Sequence, residues 1–254
     1  MTTPTFADLL SLIEDRSAAL RAAAADAPVQ TRVPGCPDWS LHDLVAHLGE
    51  VQRFWAAAVA GDPADGPPDD AAVPGRKPHG DLLTWSAEST VALIAALRAA
   101  GPARGCWTWW GASSAPSSSG AVARHQVQEA AVHARDAQEA AGQTEPLPGP
   151  IATDSIDEFL TVSAGSSGPW PYPPVRIALR ATDGPEWLVD LGEQGAVVAA
   201  ADAGAGTHPE PAASLTGSAS DLLLVLYARL GPEAVRISGD QGLVRQLIDW
   251  VPRD

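Results

Sequence analysis

The chain has 254 residues, enough for one large domain or two ordinary ones, and 45% of them are apolar, so a substantial core can be buried. It carries 31 acidic against 16 basic residues, a formal net charge of −15, which repels phosphate backbones and excludes nucleic acid as an expected partner. No run of apolar residues is long enough to cross a membrane, and MTTPTFADLLSLIEDRS lacks the basic start and continuous apolar run of a secretory signal, so a cytoplasmic protein is expected.

The first half reads as helices. Phe6, Leu9, Leu10, Ile13 and Leu20 follow the helical period and predict a helix over roughly residues 5–26. Ser40 with Asp43 three residues on is a capping-box variant, and Leu41, Leu44, Val45, Leu48, Val51 and Trp55 continue it as a second helix. Residues 61–80 are dense in Pro, Gly and Asp and predict a long surface loop. A third helix is expected over 81–100 and a fourth over 121–141, which together make a four-helix bundle.

The composition then changes. GQTEPLPGPIATD (142–154) reads as a linker. Beyond it VRIALRA (175–181), EWLVDL (186–191) and AVVAAA (196–201) read as strands, followed by a strand end and helix over 213–230, a strand at VRISGD (235–240) and a closing helix in QGLVRQLIDW. The expected fold class is α + (α+β): a helical bundle over residues 1–145 and a small α+β domain over 155–254.

Two cysteines, Cys36 and Cys106, form no C-x-x-C pair, so a thiol redox motif and a zinc finger are excluded on spacing, and each reads as a small buried apolar residue. Glu129 and His133 stand four apart on the fourth helix, about 40° around it and roughly 6 Å along it, so both can converge on one ion. His47, between Leu44 and Val51, points toward the bundle interior and is the natural third ligand. Two histidines and a carboxylate suit zinc with an open position, or a ferrous facial triad. An i,i+4 His–Glu pair is more often exposed, and an inward histidine more often a hydrogen-bonded core residue. The surrounding residues favour the metal. Ala123, Val127, Ala130, Ala134, Ala137 and Ala141 form a seam for close helix approach, and the stripe beside it carries Gln126, Glu129, His133 and Asp136. Leaving such groups buried and unpaired would cost roughly 1–3 kcal/mol each. Asp136 could orient His133 or form an ordinary helix salt bridge; His125 reads as a rim residue and His42 as exposed. Trp107, Trp109 and Trp110 read as core more readily than as the wall of a pocket.

VPGCPDWSLHDLVAHLGEV (33–51) and RHQVQEAAVHARDAQEAAG (124–142) resemble the second and fourth helices of the mycothiol-dependent maleylpyruvate isomerases, a family of DinB-like metal-binding bundles. LTGSASDLLLVLYARL (215–230) with VRISGD (235–240) resembles that family's sterol-carrier-like second domain. The chain departs from the family's pattern at Asp38, where C-P-G-W has glycine, at Arg135, where a tryptophan is usual, and at Ala228, where a glycine commonly precedes the arginine. The resemblance implies zinc, or another divalent metal, on His47, Glu129 and His133, with mycothiol as the thiol cosubstrate and its sulfur at the open position. It implies that Arg229 meets a carboxylate of the thiol or of the substrate, acting in binding and catalysis, whereas on its own terms Arg229 reads at least as readily as a solvated helix-end arginine that stabilises the dipole. The partners implied are mycothiol and a small-molecule electrophile, with no nucleic acid and no membrane, in a monomer or homodimer. The reaction implied is cis–trans isomerisation, or permanent S-transfer as in the wider family. The alternative is a non-catalytic metal- or ligand-binding module of the DinB-like superfamily.

Overall fold

In a computed structural model, residues 4–62, 66–199 and 210–251 are described. The chain divides into two compact units, one of residues 1–111 and 116–147, the other of residues 112–115 and 148–254.

The first unit is built from α1 (Phe6–Ala25), α2 (Leu41–Ala60), α3 (Leu82–Ala100) and α4 (Ser119–Ala140). Each begins at a side-chain cap. Thr5 with Asp8 and Ser40 with Asp43 form reciprocal capping boxes, while Asp81 and Ser118 accept from the backbone three residues on. Such caps satisfy amides that the first turn leaves without partners. α1 lies against α4 and α2 against α3. On the α1–α4 side Ala130, Ala134 and Ala137 pack with Leu20, Ala23 and Ala24, small residues that bring the two helix backbones close. Among the apolar residues of α1, α2 and α3 the core also holds a polar cluster. Gln52, fully buried, donates to Ser17 Oγ at 2.8 Å and accepts from Thr90 Oγ1 at 2.9 Å.

The segment before α2 is not simply a helix entry. Arg32–Val33 (β1) and Cys36–Ser40 (β2) pair antiparallel as a short hairpin around Pro34-Gly35. The expected loop at 61–80 is present, with a single turn of 3₁₀ helix at Asp70–Ala72; its residues 63–65 lie outside the described residues.

The second unit opens earlier than its composition suggests. α5 (Gly149–Thr161) stands where Pro and Gly read as linker, because Pro148 and Pro150 occupy the N-cap and first turn, where a missing amide costs nothing. Ile151, Ile156, Phe159 and Leu160 form its buried face. A five-stranded mixed sheet follows from β3 (Val175–Ala181), β4 (Glu186–Gly192), β5 (Gly195–Val198), β6 (Ala213–Gly217) and β7 (Arg236–Gly239), in the order β5-β4-β3-β6-β7. Among the described residues only the β3–β6 pair is parallel. The strand expected over 196–201 is seen as β5; its residues 200 and 201 lie outside the described residues. α6 (Ala219–Leu226) and α7 (Gln241–Trp250) complete the α+β unit, with Leu222, Leu223 and Val225 of α6 fully buried. Among the described residues no helix is long and apolar enough to cross a membrane.

Candidate metal centre in the helical unit

Two helices and the hairpin deliver the site. His47 stands two turns into α2, Glu129 and His133 lie on one face of α4, and Trp39 comes from β2. The three candidate ligands meet: Glu129 Oε1 is 3.1 Å from His47 Nε2 and 3.4 Å from His133 Nε2. All three ligand atoms fall within 4.8 Å of one another. Donor atoms held at 2.0–2.1 Å from one ion in tetrahedral geometry are separated by about 3.3 Å, so these spacings fit a zinc-sized ion. The donor chemistry fits as well, since two imidazoles and one carboxylate leave a coordination position for a further ligand. His47 and Glu129 keep partial solvent access, with side chains 25% and 18% exposed, while His133 is buried at 5%.

The other nitrogen of His133 is also engaged. Its Nδ1 lies 3.0 Å from Asp136 Oδ2, and Asp136 is completely buried. Cys36 Sγ donates to the same oxygen at 3.8 Å. Asp136 therefore faces the imidazole as a carboxylate that fixes the ring's orientation and leaves Nε2 directed at Glu129. The Trp39 ring lies 4.6 Å from that of His47 and 6.0 Å from that of His133, walling the two imidazoles on the hairpin side.

Electrostatics follow from this packing. Burial disfavours the charged form of His133, but the charge of Glu129 and the hydrogen bonds to Asp136 and Glu129 outweigh it and push the pKa up to about 9. Burial likewise disfavours ionised Glu129, yet the charge and hydrogen bonds of His133, with those of His47, hold its carboxyl well below the usual range. A cation between the three groups would take over the role that the His133 proton plays against Glu129.

Several sequence expectations meet different outcomes here. The polar stripe is buried as expected, and Gln126 is completely so, with neither amide atom hydrogen-bonded among the described residues. His125 is not a rim residue: it is nearly buried, its ring 5.1 Å from Trp110, 5.8 Å from Trp109 and 5.9 Å from Trp55. The cause is the Trp-rich loop before α4, which folds onto this end of the helix. Trp110 is fully buried there, whereas Trp109 remains 41% exposed. His42 is exposed, beside Asp43. Neither cysteine is in a disulfide. Cys106 is buried, and burial pushes its thiol pKa up. Cys36 is not simply an apolar filler, because it is half-buried against Asp136. No sequence pattern signals that contact: it spans 100 positions and depends on the hairpin.

Arg229 belongs to the second unit. It stands three residues past the end of α6, its guanidinium donates to the Tyr227 carbonyl at 3.1 Å, and it lines a concavity of about 490 Å³ with Val225, Arg245, Ile248 and Asp249. Ala228 before it takes a left-handed conformation, with φ 53°.

Residues 10–138 match the family model described as the mycothiol maleylpyruvate isomerase N-terminal domain, and residues 150–246 match the MDMPI C-terminal domain. No functionally curated protein matches the chain in sequence. Two solved structures are similar in fold: a mycothiol-dependent maleylpyruvate isomerase and a histidine-to-alanine mutant of it, with TM-scores of 0.61 and 0.64. Each is 13% identical and aligns over 94% of this chain and 96% of its own. Matched across both units by the two models, the chain belongs to the mycothiol maleylpyruvate isomerase family, a family of enzymes.

Proposed function

We propose that this protein is a zinc- and mycothiol-dependent enzyme acting on a small electrophile, with His47, Glu129 and His133 as the metal ligands. The observation that carries the reading is the convergence of the three donor atoms, at spacings that suit one tetrahedral ion. When bound, such an ion lowers the pKa of a coordinated thiol so that the nucleophilic thiolate is populated near neutral pH. The chain's own residues do the rest. Glu129 supplies the negative charge that holds a dication beside two neutral imidazoles. Asp136 accepts the Nδ1 proton of His133 and keeps Nε2 facing the ion. Trp39 packs against His47 and shields that side of the site from water. Reversible addition of a thiolate to the conjugated alkene of a maleylpyruvate-like substrate permits rotation about the former double bond; retention of the sulfur gives an S-transferase. Arg229 is the residue we assign to a substrate or thiol carboxylate, a role its planar fork of donors suits.

The test combines metal analysis with a thiol-dependent activity assay. The purified protein is expected to hold zinc at the His47–Glu129–His133 site and to turn over only with the thiol present. His47→Ala and His133→Ala should each lose the zinc of this site and activity, while His125→Ala should keep its metal. Arg229→Ala should keep the metal and lose at least tenfold in activity, as losing a charge-assisted pair of roughly 1.5–3 kcal/mol requires. Zinc that cannot be loaded into the wild type, or that survives His47→Ala unchanged, would sink the ligand assignment.

A further inference from the structure

His133 presents two donor sets, one on each ring nitrogen. Nε2 faces Glu129 and His47, whereas Nδ1 faces Asp136 and Cys36. The second set is made of one sulfur, one nitrogen and one oxygen donor, and their ligand atoms also lie within 4.8 Å of one another. Asp136 is fully buried, His133 nearly so, and Cys36 half-buried, so of the three donors Cys36 is the one with appreciable solvent access. Sulfur and oxygen donors at tetrahedral bond lengths stand about 3.6 Å apart, and nitrogen and oxygen donors about 3.4 Å. The separations here are 3.8 Å for Cys36–Asp136 and 3.0 Å for His133–Asp136, so small side-chain rotations suffice to admit an ion.

We propose that Cys36, Asp136 and the Nδ1 of His133 form a second metal site, selective for thiophilic divalent cations, which shares the His133 ring with the first. A thiolate, an imidazole and a carboxylate together favour zinc, cobalt(II) or cadmium over magnesium or calcium. Binding releases two protons to solvent, one from the Cys36 thiol and one from His133 Nδ1. With both sites filled the ring bridges two ions as an imidazolate. An ion here also removes Nδ1 from its hydrogen bond with Asp136, so loading the second site changes how the first is oriented.

Cobalt(II) titration of the metal-stripped full-length protein, with no small-molecule thiol present, tests the proposal. Cobalt bound by a thiolate shows an intense sulfur-to-metal charge-transfer band that cobalt bound only by nitrogen and oxygen lacks. The wild type is expected to take up two equivalents and to show the band. Cys36→Ser should take up one equivalent without it, which also excludes Cys106 as its source. Asp136→Asn should weaken the equivalent that carries the band by at least tenfold. His47→Ala should lose the other equivalent yet keep the band, so failure of the first site is distinguishable from failure of the second. Saturation of the wild type without the band, or a band that persists in Cys36→Ser, overturns the proposal.

Discussion

His133 lies between two carboxylates, Glu129 at Nε2 and Asp136 at Nδ1, and both hold its proton. Its pKa of about 9 exceeds the 6.5 of an unperturbed imidazole, so the folded state binds that proton more tightly than the unfolded chain does. The stabilisation is therefore complete below pH 6.5 and is lost as pH rises through about 9. At about 1.4 kcal/mol per unit it is on the order of 3 kcal/mol, and the depressed pKa of Glu129 expresses the same interaction and adds nothing to it. Urea unfolding of the chelator-treated protein should accordingly give a lower midpoint at pH 9.5 than at pH 6; an unchanged midpoint would show that the His133–Glu129 pair carries no net charge coupling. With saturating zinc the dependence should reverse, because the ion needs the neutral ring. Asp136→Asn keeps the side chain's shape but removes the charge behind Nδ1. It should weaken zinc binding at the first site by about 10–100-fold, measured by competition with a chelator.

At the scale of elements, α2 and α3 approach closely where Gly49 meets Trp85. A methyl group at position 49 would overlap the Trp85 ring, and that ring is buried with its indole nitrogen donating to the Gly75 carbonyl. Gly49→Ala gains about 1 kcal/mol of helix propensity, but overpacking a rigid aromatic costs about 1–3 kcal/mol. A net loss in the urea midpoint is expected, and because Gly49 is only two residues from His47, metal affinity should fall with it. The end of α6 runs the other way. Ala228 holds φ 53°, where its Cβ crowds the neighbouring carbonyl at a cost of roughly 1–2 kcal/mol. Glycine relieves that strain and adds some freedom to the unfolded chain, about 0.4–1 kcal/mol in the opposite sense. Ala228→Gly should therefore raise the urea midpoint modestly at constant slope, and a lower midpoint would refute the strain.

For the whole molecule, local signals determined the elements. The helical period, the capping residue Ser40 and the short strand runs of the second half depend on neighbours a few positions apart, so α1–α4, β3–β7 and the closing helix could be read from the chain alone. The convergence of His47, Glu129 and His133 was legible for the same reason: the Glu129–His133 spacing places both on one face of α4, and the apolar neighbours of His47 turn it inward. The local reading missed α5, because Pro148 and Pro150 mark a helix start as readily as a linker. Other features came only with tertiary structure. The β1–β2 hairpin carries Cys36 to Asp136 across 100 positions and sets Trp39 against His47. The tryptophan loop buries His125, and α6 ends in a left-handed turn at Ala228 before Arg229. Sequence determined which groups share a helix face, since a helix has a fixed repeat; contacts between faces depend on how helices and loops pack, and no local periodicity encodes that.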